Sequence, residues 1–585
     1  MALGAKAEIW SNGRYQYYEH FLTRGYASST EPVIHFGLSG NKSADSIRVT
    51  WPASGKISLL KNVTANQTIE IKEIEEIEEI EEINRNNLLN SDLLFAECNT
   101  VLNYLHEQND FNDFDLSQKI IPHKFSQIGP RMAKGDIDGD GMEDIIIGST
   151  NKLPTTVLLN KGYKFENTSF EGLTTQKIYS ESDLAILDIE GDGDNDIIAV
   201  AGGYENRNEA DYQHCLYTNN NGTFEKSNLP VPQFPASVVR PCDFDHNGTI
   251  DLFIGARVKM GMYPYSNHSW LILNDKGQLK ADPLFRLNLG MVTDAIWTDY
   301  DNDGWEDLLV AREWNSIVIM KNMGGKELVP QTIPELEKEH GLWYSLAAGD
   351  FDMDGDDDYI AGNLGDNHRF TVNDTYPLKF YAIDVDQDGV IDPIMTGYWN
   401  DRNNKMTEYP VNYLDELWSQ SKYFEAIYKD YTPFSYMSIN EILKENLLTG
   451  LKFELYVNTT SSYILWNDKG SFRFERLPAL LQVSPVKKMI VEDFNDDTYP
   501  DVLAAGNDYT YNLSTGYFDA NKGVLLLNKV KMQDKDHYSF EALGPSRTGI
   551  LLQGMVESLL YLKGDTSLVV AGINRAGAVV YKVKK

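Results

Sequence analysis

Cysteine is nearly absent. Cys98, Cys215 and Cys242 are the only three in 585 residues, too few for a disulfide framework. No run of 18 apolar residues occurs, so no transmembrane segment is expected, and residues 1–20 lack the pattern of a secretory signal. Positive charge is scarce as well: 52 Lys and Arg stand against 87 Asp and Glu, a formal charge of −35. That balance excludes a nucleic-acid surface, because displacing phosphate counterions takes clustered cations. Also missing are a G-x-S-x-G elbow, an H-E-x-x-H pair, a phosphate loop and any zinc-spaced Cys/His set. The apolar share of 42% is ordinary, and the length allows several cores.

What the chain has in excess is aspartate in one arrangement. The stretch Asp136-Ile-Asp-Gly-Asp-Gly-Met-Glu-Asp144 reads D-x-D-x-D-G-x-x-D and runs into Ile145, Ile146 and Ile147. Two unit charges 4 Å apart repel by roughly 4 kcal/mol at an effective dielectric near 20, so carboxylates this crowded call for a cation among them. A hard cation that takes six to eight oxygens, Ca²⁺, suits the set. Asp136, Asp138, Asp140 and Asp144 would bind through side chains and Met142 through its backbone carbonyl, with Gly141 making the sharp turn. After its first half the loop departs from an EF-hand: position twelve is Ile147, not Glu, and the flanks 131–135 and 144–148 read as short strands. A metal-tied β-turn is expected.

The pattern recurs six times. The equivalent ligand sets are Asp188, Glu190, Asp192, Asp194 and Asp196; Asp243, Asp245, Asn247, Thr249 and Asp251; and Asp299, Asp301, Asp303, Trp305 and Asp307. Further along come Asp350, Asp352, Asp354, Asp356 and Asp358; Asp384, Asp386, Asp388, Val390 and Asp392; and Asp493, Asn495, Asp497, Tyr499 and Asp501. In each set the fourth residue offers its backbone carbonyl. Charge count ranks the loops: those at Asp136, Asp299, Asp350 and Asp384 keep all four carboxylates. Neutral Asn247 weakens one, while Asn495 and Thr498 (in place of glycine) weaken the last. Five to seven Ca²⁺ ions are expected.

First aspartates lie 52, 55, 56, 51, 34 and 109 residues apart, and a period of 50–55 with strand–loop–strand units is the size of a four-stranded propeller blade. A second apolar run follows most loops, at 156–160, 215–218, 270–274, 317–321, 464–467 and 524–528. None falls between residues 350 and 463, so the loop at Asp384 belongs to an insertion, about 364–460, within the fifth blade. That insertion contains helix-like stretches at 414–428 and 439–448. The tail supplies a seventh unit without carboxylates (557–562, 567–571, 578–581) that is one strand short, and residues 93–96 would complete it. The fold class is therefore all-β: a seven-bladed propeller, or eight-bladed if the insertion contributes one, preceded by a small β domain.

Residues 1–72 form that domain, with strands expected at 46–51, 56–60 and 68–71. An acidic low-complexity linker, 73–90, separates it from the repeats at 91–585. Gly4-Ala-Lys6, Arg24-Gly-Tyr-Ala-Ser-Ser29, His35-Phe-Gly-Leu38, Trp51-Pro-Ala-Ser-Gly55 and Asn62-Val63 before Asn66-Gln67 resemble, in order, the ASPIC/UnbV domain. His35 is read as a packed strand residue. The Asp-rich units resemble the FG-GAP (VCBS-type) repeats of integrin α-subunit propellers, and the two regions together resemble the cartilage acidic protein-like family and its bacterial members. In that family the propeller usually comes first. The resemblance therefore implies the C-terminal part of a longer chain, with an export signal upstream and an extracellular, outer-surface or periplasmic location.

The resulting expectation is a non-enzymatic Ca²⁺-binding propeller that binds a protein or glycan partner through its loop face and insertion, the ions serving as staples. The alternative is a polysaccharide-acting, lyase-like enzyme on the same scaffold. A buried cluster of Arg, Lys or His with carboxylates, away from the metal loops, would favour the enzyme. Arg312, Glu313 and Trp314, at the end of a blade strand, are read as structural.

Overall fold

A computed structural model describes residues 3–23, 28–29, 31–52, 56–73, 93–115, 118–173, 175–443, 450–512, 514–530 and 538–584. The chain divides into two compact units, Met1–Ser91 and Asp92–Lys585. The linker over 74–90, the resembling stretches at 24–27 and 53–55, and the end of the helix-like stretch (444–448) lie outside the described residues.

In the first unit the strands Lys6–Ser11, Arg14–Glu19, Ser43–Thr50 and Ile57–Thr64 make one antiparallel sheet, ordered second, first, third, fourth. Asn12 and Gly13 both have positive φ, the requirement of a tight two-residue hairpin. Alternation places Ala7, Ile9, Ile47 and Val49 on one face, where Trp51 joins them. Two expectations are corrected. Residues 68–71 form no strand; Ile69 and Ile71 pack on the core from irregular chain. His35 is exposed, outside any strand, and bonded to Glu31 at 2.8 Å. Its neighbours Ile34, Phe36 and Leu38 take the inward positions, and a period of two turns His35 outward.

In the second unit, among the described residues, seven antiparallel sheets follow one another around a ring. Blade one comprises Met132–Gly135, Asp144–Ile147, Thr156–Asn160 and Phe165–Thr168. Blade two comprises Ser180–Leu187, Asp196–Gly202, Cys215–Asn220 and Thr223–Asn228. Blade three is Ala236–Cys242, Asp251–Ala256, Ser269–Asp275 and Gln278–Leu287, and blade four Val292–Thr298, Asp307–Asn315, Val318–Asn322 and Leu328–Pro330. Blade five uses Ser345–Gly349, Asp358–Gly362, Tyr463–Asp468 and Ser471–Arg476; blade six Val486–Glu492, Asp501–Gly506, Val524–Val530 and Tyr538–Leu543. Blade seven takes Val556–Leu562, Leu568–Ile573 and Ala578–Val583 from the tail, and Phe95–Glu97 pairs with the last of these, Tyr581 opposite Glu97 and Val583 opposite Phe95.

The ring is held by apolar cores between successive blades. Blades one and two share Ile146, Leu184 and Ile197, and blades three and four share Phe253, Val292 and Leu308. The closing pair, seven and one, shares Val570, Val580, Met132 and Ile145. Second strands are buried on both faces and so read as unbroken apolar runs, as in Ile145-Ile146-Ile147. Several end in glycine where the next strand passes too near for a side chain: a Cβ on Gly362 would lie 2.3 Å from the Val486 carbonyl oxygen.

Between the second and third strands of blade five lies a separate sheet, Met406–Pro410, Ile394–Asn400, Leu378–Ile383 and Leu451–Val457 in spatial order. It contributes no blade to the ring. The short helices Leu414–Gln420, Lys422–Ile427, Tyr431–Phe434 and Ile439–Ile442 pack on it through Leu417, Phe424, Phe434 and Ile442.

Candidate functional site

Each Asp-rich loop in the ring joins the first strand of a blade to its second; the loop at Asp384 makes the same connection inside the inserted sheet. Local bonds wrap the loops. The first aspartate accepts from the backbone N–H groups ahead of it: Gly139 and Gly141 donate to Asp136, and Gly304 donates to Asp299, all at 2.8 Å. The fifth position accepts from the seventh, as Met142 N–H donates to Asp140 at 3.0 Å. These bonds use both oxygens of Asp136 and fold the loop so that its carboxylates lie close together.

Five loops bring three carboxylates within 4.8 Å of one another: Asp136, Asp138 and Asp144; Asp243, Asp245 and Asp251; Asp299, Asp301 and Asp303; Asp350, Asp352 and Asp354; Asp384, Asp386 and Asp392. The aspartates closing the fourth-blade and fifth-blade loops, Asp307 and Asp358, stand outside those triads. Among the described residues the loops at Asp188 and Asp493 gather no such triad. In the former, Glu190 and Asp196 bond to each other instead; in the latter, Asn495 donates to Asp497 at 2.9 Å. The residues fit a divalent cation on a further observation: Asp243 Oδ1, Asp301 Oδ1, Asp307 Oδ2 and Asp384 Oδ1 are buried with no hydrogen-bond partner. Lysines approach three of the triads: Lys161 at 2.7 Å from Asp138, Lys321 against Asp301 and, at 2.8 Å, Asp303, and Lys452 at 3.6 Å from Asp384.

The ninth-position aspartates are the most buried of the set. Asp144, Asp196, Asp251, Asp307, Asp358 and Asp501 have no exposed surface. Burial, with like charges nearby, pushes Asp144 and Asp501 up to about 6, Asp251, Asp307 and Asp392 to about 7, and Asp358 to about 8, against the pull of backbone donors. One donor is the N–H of the loop's second residue, as Ile137 gives to Asp144 and Val385 to Asp392; in six blades another comes from an asparagine near the end of the third strand. Asn160, Asn219, Asn274, Asn322, Asn467 and Asn528 each give a backbone N–H to their blade's ninth-position aspartate, at 2.6–2.9 Å.

The side chains of five of these asparagines reach the preceding blade, whereas that of Asn160 bonds to Glu143 of its own loop. Asn274 Nδ2 donates to the Ile189 carbonyl at 2.9 Å, Asn322 to Phe244 at 2.9 Å, Asn467 to Tyr300 at 2.9 Å and Asn528 to Phe351 at 2.7 Å. Each acceptor is the second residue of a neighbouring Asp-rich loop. The loops and blades are therefore one hydrogen-bonded belt. Sequence reasoning gave these asparagines no role; their recurrence at the end of the third-strand apolar run in six of the seven blades was the available signal.

At the other end of the first strands, a cavity of about 110 Å³ occupies the middle of the ring. Arg131 of blade one, Asp183 of blade two, Arg257 of blade three, Thr293 of blade four, Lys487 and Lys488 of blade six and Glu557 of blade seven line it, together with the segment 123–128. Glu557 pairs with Arg131 at 3.0 Å and with Lys487 at 2.5 Å, and Lys487 lies 3.6 Å from Asp508. Glu313 pairs with Arg257 and, at 3.0 Å, with His123, and accepts from the Tyr263 hydroxyl at 2.9 Å. Burial alone would raise the Glu313 carboxyl; Arg257 and His123 hold it well below the usual range. Trp314 is fully buried and left-handed (φ 59°), donating to Tyr263. The structural reading of Arg312-Glu313-Trp314 thus holds for Arg312, which caps the Ser316 carbonyl at 2.8 Å, whereas Glu313 belongs to this polar centre.

A family model described as ASPIC and UnbV matches residues 1–78, and one described as an FG-GAP-like repeat matches residues 188–254 and 299–361. No curated protein matches the chain. Solved structures similar to it include Saccharomyces cerevisiae Sqt1, at 9% identity over 85% of this chain and 100% of that one, with a TM-score of 0.37. The V. cholerae biofilm matrix protein Bap1 is similar at 9% identity over 84% and 92%, TM-score 0.35, and the Neurospora crassa Pan2 WD40 domain at 9% over 85% and 97%, TM-score 0.36. By its family matches and its own geometry, the chain carries an ASPIC/UnbV domain at the N-terminus, followed by FG-GAP-like repeats built into a β-propeller.

Proposed function

We propose that the protein is an exported, calcium-stapled β-propeller that holds a protein or glycan partner at the mouth opposite its metal loops, the ions performing no chemistry. The observation that carries the calcium reading is the set of buried, unpartnered oxygens on Asp243, Asp301, Asp307 and Asp384. A cation is the group that relieves both their missing bonds and their mutual repulsion. The three carboxylates of each of the five triads would hold it. Loops of this kind bind in the range of extracellular modules, which supports a place outside the cytosol: extracellular, outer-surface or periplasmic. Calorimetric titration of the full chain with Ca²⁺, with melting in calcium and in chelator, tests the reading. Several binding events and a higher melting temperature in calcium are expected, with the first-blade event lost in D136A/D138A. Equal melting in both buffers would end it.

A lyase-like reading has one observation in its favour: the Arg, Lys and His side chains with carboxylates at the ring centre, on the opposite side from the metal loops. Incubation with uronate polysaccharides, followed by the near-ultraviolet absorbance of unsaturated products, separates enzyme from binder.

A further inference from the structure

The central cavity holds more hydrogen-bond donors than it uses. Arg131 Nε, Arg257 Nη1 and Thr293 Oγ1 are buried without a partner, and all three residues line the same space. Lys488 lines it too, and its ammonium makes no hydrogen bond or ion pair to any described residue. By contrast, the neighbouring Lys487 is matched by Glu557 and Asp508. These donors come from blades one, three, four and six, so only closure of the ring brings them together. A buried donor left unpaired is unfavourable, and a ligand that accepts from it relieves the cost. Three such groups and the Lys488 ammonium thus face one cavity.

We propose that this cavity binds a small molecule through a carboxylate group, with Lys488, Arg257, Arg131 and Thr293 donating to its oxygens. The proposal names the ligand chemistry for the mouth assigned above and rests on that assignment. Two features select a monoanion. Guanidinium edges match a planar carboxylate. Asp183, Asp508 and Glu557 also line the wall, and they would repel a phosphate dianion. The volume of about 110 Å³ suits one compact group, such as the carboxyl edge of an acidic sugar, and not a length of polymer. Burial, with the charge of Arg131 beside it, pushes Lys488 down to about 8, so a carboxylate arriving at that pH should draw a proton onto the amine.

The test is calorimetry on the full chain in saturating Ca²⁺, with glucuronate, acetate, glucose and inorganic phosphate as probes. Glucuronate and acetate are expected to bind one per chain, glucose not at all, and phosphate at least tenfold more weakly than glucuronate. Two buffers of different ionisation heat should show uptake of about half a proton per ligand at pH 8 and none at pH 6. Lys488→Met, which leaves no carboxylate stranded, should weaken glucuronate at least tenfold, abolish the proton uptake and keep the calcium-dependent melting. Absence of heat with both carboxylates, a crystal soaked in glucuronate showing only water at Lys488, or equal affinity in Lys488→Met overturns the proposal. Because melting in calcium is read separately, failure here is distinguishable from failure of the calcium reading.

Discussion

Asp307 offers the sharpest test of how the metal loops store their charge. It is fully buried, accepts the Asn322 N–H at 2.6 Å through Oδ1, and leaves Oδ2 without a partner. Burial, with the charges of Asp301 and Asp303, pushes the carboxyl from 3.8 to about 7 in the ion-free chain. A raised carboxyl favours the folded state while it carries its proton. That contribution is complete below 3.8 and is lost as the pH climbs through 7. Between pH 5.5 and 8, one group with these two values removes about 2 kcal/mol of stability. Asp307→Asn deletes the titration and keeps the acceptor for Asn322. In chelator, the stability of the variant relative to the unsubstituted chain should therefore rise by about 2 kcal/mol across that interval, other titrating groups cancelling in the difference. Urea unfolding followed by tryptophan fluorescence measures it. With Ca²⁺ present the order should reverse, because the cation offsets the charges of Asp301 and Asp303 and favours an ionised Asp307, which Asn cannot replace. A difference that stays flat from pH 5.5 to 8 in chelator would refute the account of the buried aspartates.

Asn274→Ala removes two carbonyl contacts, to Ile189 and Ile250, and frees the Gly277 N–H; at roughly 1 kcal/mol per bond, a loss of about 3 kcal/mol is expected in the urea midpoint. Lys321→Met takes an ammonium away from Asp301 and Asp303, so terbium luminescence should report about tenfold tighter cation binding at that loop. Thr498 holds φ 76° where other loops have glycine, and Thr498→Gly should stabilise the chain by about 1 kcal/mol in chelator, read as a higher urea midpoint.

The repeated D-x-D-x-D-G stretches and the apolar runs after them marked out the blades, because a tight turn held by its own aspartates and a strand buried on both faces leave few residue choices. The missing strand of the last blade was legible in part: three tail strands left an edge, residues 93–96 were the apolar piece available to cover it, and the strand that pairs there is Phe95–Glu97. His35 was misread because one alternating stretch fits either phase, and only packing decided that Ile34 and Phe36 face inward. The sheet inside the insertion went unseen beside its helices, since its strands Leu378–Ile383 and Leu451–Val457 pair across about 70 residues.

Local chemistry in the chain was enough to set where the acid loops turn, how often they recur and which of them carry the fullest charge, since each loop is nine consecutive residues bonded mainly to itself. The asparagine belt and the donors around the central cavity were decided by tertiary structure alone. Their bonding partners lie tens to hundreds of residues apart and become neighbours only when seven sheets close into a ring.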